Sequence, residues 1–144
     1  MTSRTLARRI ASFAIGKKAS EVVLLDLRKY EAPADFFVLC TAESSPQVKA
    51  IADEIEERTE MLGVRLWHSE GRRAMSWLLL DFVDVVVHVF LKDVRRFYNL
   101  ERLWADVPRI EVEDSGKGIV FHDTGGRTRK PAPRTARRKP ARMK

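Results

Sequence analysis

The sequence predicts an α/β fold, with a single mixed sheet of about five strands and helices packed on it. Apolar residues recur at helical spacing in two segments, and short runs rich in Val, Leu and Phe lie between and after these segments. Helix and strand patterns alternate along the chain, an order typical of helices packed on a sheet. A chain of 144 residues is long enough for one hydrophobic core and too short for two.

The first helix is predicted over residues 4–16, where Leu6, Ile10 and Phe13 share one face. A start that is rich in Arg and Ser and free of acidic residues is also typical of an organellar transit peptide. We favour the helix, because it runs into the first strand without a linker. Two apolar strands are predicted after it, at Glu21–Leu27 and Asp35–Thr41.

The second helix has the clearest boundaries in the chain. Ser44 is a typical N-cap, Pro46 suits the first helical turn, and Gly63 ends the helix. Its apolar stripe consists of Val48, Ile51, Ala52, Ile55 and Leu62. Acidic residues fill most of the other positions, which indicates a solvated face.

The second half of the domain is predicted to hold the remaining strands. These are Val64–His68, Met75–Phe82 and Val85–Leu91. The last two form a hairpin around residues 82–84, and a polar loop precedes them. Residues 93–105 are predicted to carry one or two short helical turns, and Pro108 closes the domain.

The basic charge is concentrated at the ends of the chain. Residues 115–144 carry ten Lys or Arg and one Asp, a net charge of +9, whereas residues 1–114 have a net charge of −2. Because the last 30 residues are also poor in apolar side chains, we predict a domain over 1–114 and a disordered basic tail over 115–144. No apolar run approaches the ~20 residues of a membrane span, so we expect a cytoplasmic protein.

The residues offer no pattern typical of a catalytic or metal site. A nucleotidyltransferase needs two carboxylates separated by one residue on a strand, but Val83 follows Asp81 at that spacing and Val86 follows Asp84. One Cys and three separated His form no closed zinc set. The single cysteine, Cys40, lies in an apolar run and is predicted to be a buried, inert thiol. We therefore expect no enzyme activity, no cofactor and no metal.

Residues 76–104 are the strongest candidate for a binding surface. They include Trp77 and Tyr98, residue types that often anchor interfaces. Strand alternation places His88 on a face opposite Val85 and Val87. His88 is then either a partly buried histidine satisfied by one hydrogen bond or part of a half-apolar binding patch, and the sequence leaves both interpretations open.

Several blocks of sequence resemble the ribosomal silencing factor (iojap) family. They are ADFFVLCTAESSPQVKAIADEIE at 34–56, Ser69-Glu70-Gly71, Trp77, Leu79-Leu80-Asp81, DVVVHVF at 84–90 and RRFYNLERLW at 95–104. The resemblance covers residues 6–108 in matching order. It implies an α/β fold like that of a nucleotidyltransferase, without the catalytic carboxylates.

The resemblance also implies a function. Members of the family bind the large ribosomal subunit at its subunit-joining face, through the fourteenth large-subunit protein, and block the small subunit when nutrients are short. A role in large-subunit biogenesis is a further implication, and we expect a monomer or a weak homodimer. The alternative is a nucleotide- or phosphate-processing enzyme of the nucleotidyltransferase-like fold, which ATP or CTP with Mg²⁺ should stabilise.

By the same resemblance, the partner-binding residues are Glu70, Trp77, Leu79, Asp81, His88, Arg96 and Tyr98. Asp81 could instead cap the hairpin, and Arg96 could pair with a carboxylate of the domain. Trp104 is expected to pack the last helix against the sheet. Val83 stands where the family usually has Gly, which should alter the hairpin turn.

The basic tail has no counterpart in the family core. We expect it to contact rRNA phosphates, since disordered basic segments bind RNA through counterion release. The residues expected to make these contacts are Arg127, Arg129, Lys130, Arg134, Arg137, Arg138 and Lys139. The alternative is a solvated extension that contributes little to binding.

Overall fold

The computed structural model describes residues 1–124 and confirms an α/β fold built on a single mixed sheet. In chain order the elements are α1 (Ser3–Gly16), β1 (Ser20–Asp26), β2 (Phe36–Ala42), α2 (Ser45–Met61), β3 (His68–Glu70), β4 (Trp77–Asp81), β5 (Val85–Leu91), α3 (Lys92–Tyr98), α4 (Leu100–Leu103), β6 (Arg109–Asp114) and β7 (Ile119–Asp123). Within this range, no helix is long and apolar enough to cross a membrane.

The sheet has the order β3-β4-β5-β2-β1-β6-β7. Neighbouring strands are antiparallel except for β2 and β5, which are parallel at the centre of the sheet. The predicted hairpin is confirmed as β4 and β5. Strands β3 and β7 form the two edges of the sheet.

The sheet has seven strands in the described range, more than the five predicted. Strand β6 was missed because only Ile110 and Val112 are buried, between charged neighbours. Strand β7 lies inside the segment predicted to be disordered, so that prediction is wrong for Ile119–Asp123. The third strand is also displaced: it is His68–Glu70 rather than Val64–His68. The seven residues of the tail predicted to contact rRNA lie outside the described residues.

Helices α1 and α2 cover one face of the sheet. The Thr2 side chain accepts a hydrogen bond from the Thr5 backbone N–H, and the Ser44 side chain accepts one from the Gln47 N–H, so both helices begin at a capped residue. Leu6, Ile10 and the apolar stripe of α2 from Val48 to Ile55 pack against the sheet. Cys40 is fully buried in this core, and burial raises the pKa of its thiol to about 12, as expected for an inert cysteine.

The opposite face of the sheet carries a second core under α3, α4 and the loop before β2. Trp104 is buried here and packs edge-to-face on Phe37, with ring centroids 5.8 Å apart, which confirms its predicted packing role. The cover is incomplete at the β4 edge, where Trp77 and Leu79 stay partly exposed. This gap in the cover is the surface on which the predicted site residues converge.

Candidate partner-binding surface

Trp77 lies at the start of β4 and is held by contacts on several sides. Its ring centroid is 4.9 Å from that of Tyr98 and 5.0 Å from that of Phe90. The indole Nε1–H donates a hydrogen bond to His88 Nδ1 at 3.1 Å. The orientation of the indole ring is therefore set before any partner binds.

His88 supports Trp77 from below and is itself only 4% exposed. Because Nδ1 accepts the indole hydrogen, the proton of the neutral ring is assigned to Nε2. Nε2 has no hydrogen-bond partner within residues 1–124. Burial lowers the pKa of His88 to about 3, so the ring is neutral at physiological pH. His88 is too buried to contact a partner directly, and we interpret it as a residue that positions Trp77.

Phe97 and Tyr98 continue the apolar surface from Trp77 into solvent. Tyr98 is 56% exposed and Phe97 is 78% exposed. Their rings meet edge-to-face with centroids 4.9 Å apart. Together with Trp77 and the half-buried Leu79, which follows Trp77 on the same face of β4, they form what we call the aromatic surface.

Charged residues border the aromatic surface. Glu70 pairs in register with Leu79, is exposed and lies 2.9 Å from His68 Nε2. The Arg96 side chain is 69% exposed and approaches Asp93 only to 3.9 Å. A mixture of apolar centre and charged rim is the usual composition of a protein-binding surface.

Asp81 has a structural role in the hairpin and does not reach this surface. It is buried, and its Oδ1 accepts a hydrogen bond from the Val83 backbone N–H at 2.7 Å. This is the alternative role considered for Asp81 on sequence grounds. Val83 itself has φ of 77°, in the left-handed region that a β-branched residue rarely adopts.

Gly71 fixes the loop that leads into Trp77. It has φ of 91°, and a Cβ built on it would lie 2.1 Å from the Trp77 carbonyl oxygen. The Gly71 carbonyl accepts a hydrogen bond from the Met75 N–H at 3.0 Å. Only glycine fits so close to a neighbouring backbone, so the Ser69-Glu70-Gly71 block holds Trp77 at its place on the edge of the sheet.

Arg95, which the sequence analysis did not single out, anchors the helix that carries Phe97 and Tyr98. It donates two hydrogen bonds to the Glu101 carboxylate, at 3.1 and 2.9 Å. It also donates to the Glu21 carbonyl oxygen at 2.6 Å and to the Thr41 hydroxyl at 2.9 Å. These bonds tie α3 to α4 and to the central strands of the sheet.

Glu101 completes this network. Its carboxylate also accepts a hydrogen bond from Arg109 of β6 at 2.9 Å. Burial on its own raises the pKa of Glu101, but the hydrogen bonds and charges of Arg95 and Arg109 outweigh burial, and the net pKa lies below the usual value. Glu101 is therefore ionised at neutral pH and neutralises part of the charge of both arginines.

The comparison with known proteins decides the family. The profile described as "Ribosomal silencing factor during starvation" matches residues 1–143 of this chain. The chain belongs to the ribosomal silencing factor family.

Individual members of the ribosomal silencing factor family are similar over most of their length. Ribosomal silencing factor RsfS of Halalkalibacterium halodurans is 41% identical over 113 residues, which are 78% of this chain and 97% of the relative. RsfS of Bacillus subtilis is 37% identical over 113 residues, 78% of this chain and 96% of the relative. A crystal structure of a Chromobacterium violaceum protein has a TM-score of 0.70 at 27% identity, and the alignment covers 92% of this chain and 94% of that protein.

The structure brings four of the predicted binding residues to one surface of this ribosomal silencing factor family member: Glu70, Trp77, Leu79 and Tyr98. Arg96 lies beside that surface on α3, His88 is buried beneath Trp77, and Asp81 is buried at the hairpin turn. Phe97 is the exposed residue that sequence reasoning missed. The sequence did indicate that Phe97 is exposed, because helical spacing directs Val94 and Tyr98 to one side of α3 and leaves the apolar Phe97 outside that side.

Proposed function

We propose that this protein binds the large ribosomal subunit at its subunit-joining face, through the fourteenth large-subunit protein, and thereby prevents the small subunit from joining. Family membership supports an action on the ribosome. The aromatic surface supports the finer proposal of a protein partner. A factor that binds ribosomal subunits acts where they are found, so we expect it in the cytoplasm.

The observation that carries the proposal is the exposure of three adjoining aromatic rings. Trp77, Tyr98 and Phe97 are linked by ring contacts of 4.9 Å each. Aromatic residues of this kind supply much of the binding free energy at protein interfaces. Because Trp77 and Tyr98 are already oriented by their neighbours, little side-chain entropy is lost when a partner covers them.

The proposed action is steric and involves no bond making or breaking. A folded domain fixed on the joining face occupies space that the small subunit needs. We therefore propose that the protein is not an enzyme and uses no cofactor. A melting temperature that rises with ATP or CTP and Mg²⁺ would contradict this part of the proposal.

The first experiment is sedimentation of the purified protein with isolated large and small subunits, before and after the two subunits are mixed. We expect the protein to migrate with the large subunit alone and to reduce the amount of joined particles. A protein that stays at the top of the gradient even at low salt would refute the proposal.

The aromatic surface is tested by replacing Phe97 and Tyr98 together with Ala. Both are exposed, so their removal should weaken binding by about 2 kcal/mol or more, the scale of interface hot spots, without unfolding the domain. Trp77→Ala should also weaken binding, but it removes folding contacts as well. Met61→Ala is the control, because Met61 is 74% exposed and lies at the end of α2, on the other side of the sheet. Equal binding of the double variant and the control would exclude the aromatic surface as the docking site.

We also propose that the basic tail contacts rRNA. Since β7 ends at Asp123, the deletion that tests this should remove residues 125–144, which carry nine Lys or Arg and no acidic residue, and should leave β7 intact. Subunit binding measured at two salt concentrations should then show a weaker salt dependence for the deletion variant. An unchanged dependence would support the solvated extension instead.

A further inference from the structure

Helix α1 carries a cluster of positive charges. Arg4, Arg8 and Arg9 lie in its first half, and the helix contains no acidic residue. Acidic side chains, not basic ones, stabilise the first turns of a helix. Within residues 1–124, none of these three arginines forms a salt bridge. Salt bridges within the described residues therefore do not account for the cluster.

The cluster contrasts with the rest of the domain. Residues 19–114 have a net charge of −7, so the positive charge of α1 is a local feature and not a general property of the surface. Arg4 and Arg9 are exposed, and Arg8 is partly exposed. An acid-free group of guanidinium ions on one helix attracts an extended polyanion.

Arg8 is oriented by contact with the last strand. Its Cζ lies 3.8 Å from the centroid of the Phe121 ring in β7. A guanidinium that stacks on an aromatic ring keeps its N–H groups available at the edge, where they can bind a phosphate. The chain leaves β7 two residues after Phe121 and continues into the nine basic residues of 125–144.

We propose that Arg4, Arg8 and Arg9, the arginine face of α1, form a contact surface for the phosphate backbone of RNA. This inference rests on the proposed function, which identifies the RNA as ribosomal RNA. Helix α1 packs on the sheet face opposite the second core, beside which the aromatic surface lies. The arginine face and the aromatic surface are thus separate, and each can be changed without the other.

The test uses the full chain and a fluorescein-labelled double-stranded RNA hairpin, with binding measured by fluorescence anisotropy at several salt concentrations. The variant is Arg4→Gln with Arg8→Gln and Arg9→Gln. The control removes three charges elsewhere, by Lys29→Gln, Lys49→Gln and Arg65→Gln, all at exposed positions. Each phosphate that the protein neutralises adds roughly 0.9 to the magnitude of the slope of log K against log salt. If each of the three arginines contacts one phosphate, the magnitude of this slope should be smaller by about 2.7 for the variant. The control should change it much less.

Two further measurements keep the test decisive. Arg8 packs on Phe121, so a double variant with Arg4→Gln and Arg9→Gln tests the same face if the triple variant does not fold. Vesicles containing phosphatidylserine test the other large anionic partner. Equal effects of variant and control on RNA binding, or a weakening confined to vesicle binding, would overturn the RNA assignment.

The aromatic variant separates this inference from the proposed function. The Phe97 and Tyr98 double variant should bind the hairpin as the wild type does and should bind the large subunit roughly 30-fold more weakly or worse. If the arginine variant keeps normal hairpin binding while the aromatic variant binds the subunit more weakly, only the inference about α1 is wrong. If hairpin binding depends on α1 while the aromatic variant binds the subunit normally, the proposed docking site is wrong instead.

Discussion

Replacing Arg95 by Met should destabilise the fold far more than the same replacement at the next residue. The Arg95 side chain is 8% exposed and donates hydrogen bonds to Glu101, Thr41 and the Glu21 carbonyl. Arg96, one position on in the same helix, is 69% exposed and lies no closer than 3.9 Å to a carboxylate. The two variants remove the same side chain and charge, so their difference isolates the buried network.

The magnitude follows from the groups that Arg95 leaves behind. Removal of one partner from a buried ion pair costs about 3–5 kcal/mol, because the remaining charge is uncompensated. Here Glu101 keeps its contact with Arg109 at 2.9 Å, which reduces the cost. The Glu21 carbonyl and the Thr41 hydroxyl each lose the hydrogen bond from Arg95, which adds about 1 kcal/mol, and the Thr41 hydroxyl keeps its hydrogen bond to the Glu21 carboxylate at 3.1 Å. We expect the free energy of unfolding to fall by about 3 kcal/mol for Arg95→Met, and by less than about 0.5 kcal/mol for Arg96→Met.

Urea unfolding followed by tryptophan fluorescence measures both variants. For a chain of this size, a decrease of about 3 kcal/mol corresponds to a melting temperature lower by about 10 °C. A second change, Glu101→Gln, removes the carboxylate that has lost Arg95 as a partner and should restore part of the stability of Arg95→Met, since Arg109 also pairs with Glu111. Decreases that agree within about 0.5 kcal/mol for Arg95→Met and Arg96→Met would refute the reasoning.

Three further predictions concern single residues around the aromatic surface. His88→Gln should make the free energy of unfolding depend less on pH below neutrality. The pKa of His88 is about 3 in the folded chain and near 6.5 in the unfolded chain, so on acidification the unfolded chain takes up a proton that the folded chain does not. The wild type should therefore lose about 2 kcal/mol between about pH 7 and pH 5 that the variant retains, and equal decreases in urea titrations would contradict this. Val83→Gly should raise the free energy of unfolding by about 0.5–1 kcal/mol, since relief of the left-handed strain exceeds the added entropy of the unfolded chain; a lower midpoint in urea would count against it. Gly71→Ala should lower stability by about 2 kcal/mol and shift Trp77 fluorescence, because the new methyl meets the Trp77 carbonyl; an unchanged spectrum would show that the loop adapts.

Sequence patterns predicted those helices and strands that are defined by a few neighbouring residues. The cap at Ser44, the proline after it and the apolar stripe define α2, and the structure begins the helix one residue after Ser44. The apolar run of β5 and its hairpin partner were predicted for the same reason. Strand β7 could not be predicted in this way, because its residues are ordered by pairing with β6 and by the contact of Phe121 with Arg8.

The candidate site was only partly predictable, since burial depends on packing between distant elements. Strand alternation placed His88 on the same face as Trp77, but it could not show that Phe37 and Trp77 would cover the ring. Arg95 and Arg96 are adjacent and chemically identical in sequence. The position of α3 on the sheet turns one of them into the core and leaves the other in solvent.

The strand order also constrains how the chain reaches this structure. The central parallel pair joins Phe36 to Val85, 49 residues apart, and β1 joins β6 through Val22 and Val112, 90 residues apart. Contacts so distant in sequence carry a large loop-closure cost and slow folding. During synthesis, β2 has no parallel neighbour until β5 emerges, and β1 has no outer neighbour until β6 emerges. We expect the sheet to be complete only after β6 and β7 have emerged, so a shorter nascent chain lacks the hydrogen bond from Arg109 of β6 that helps to hold Glu101 of α4 in place.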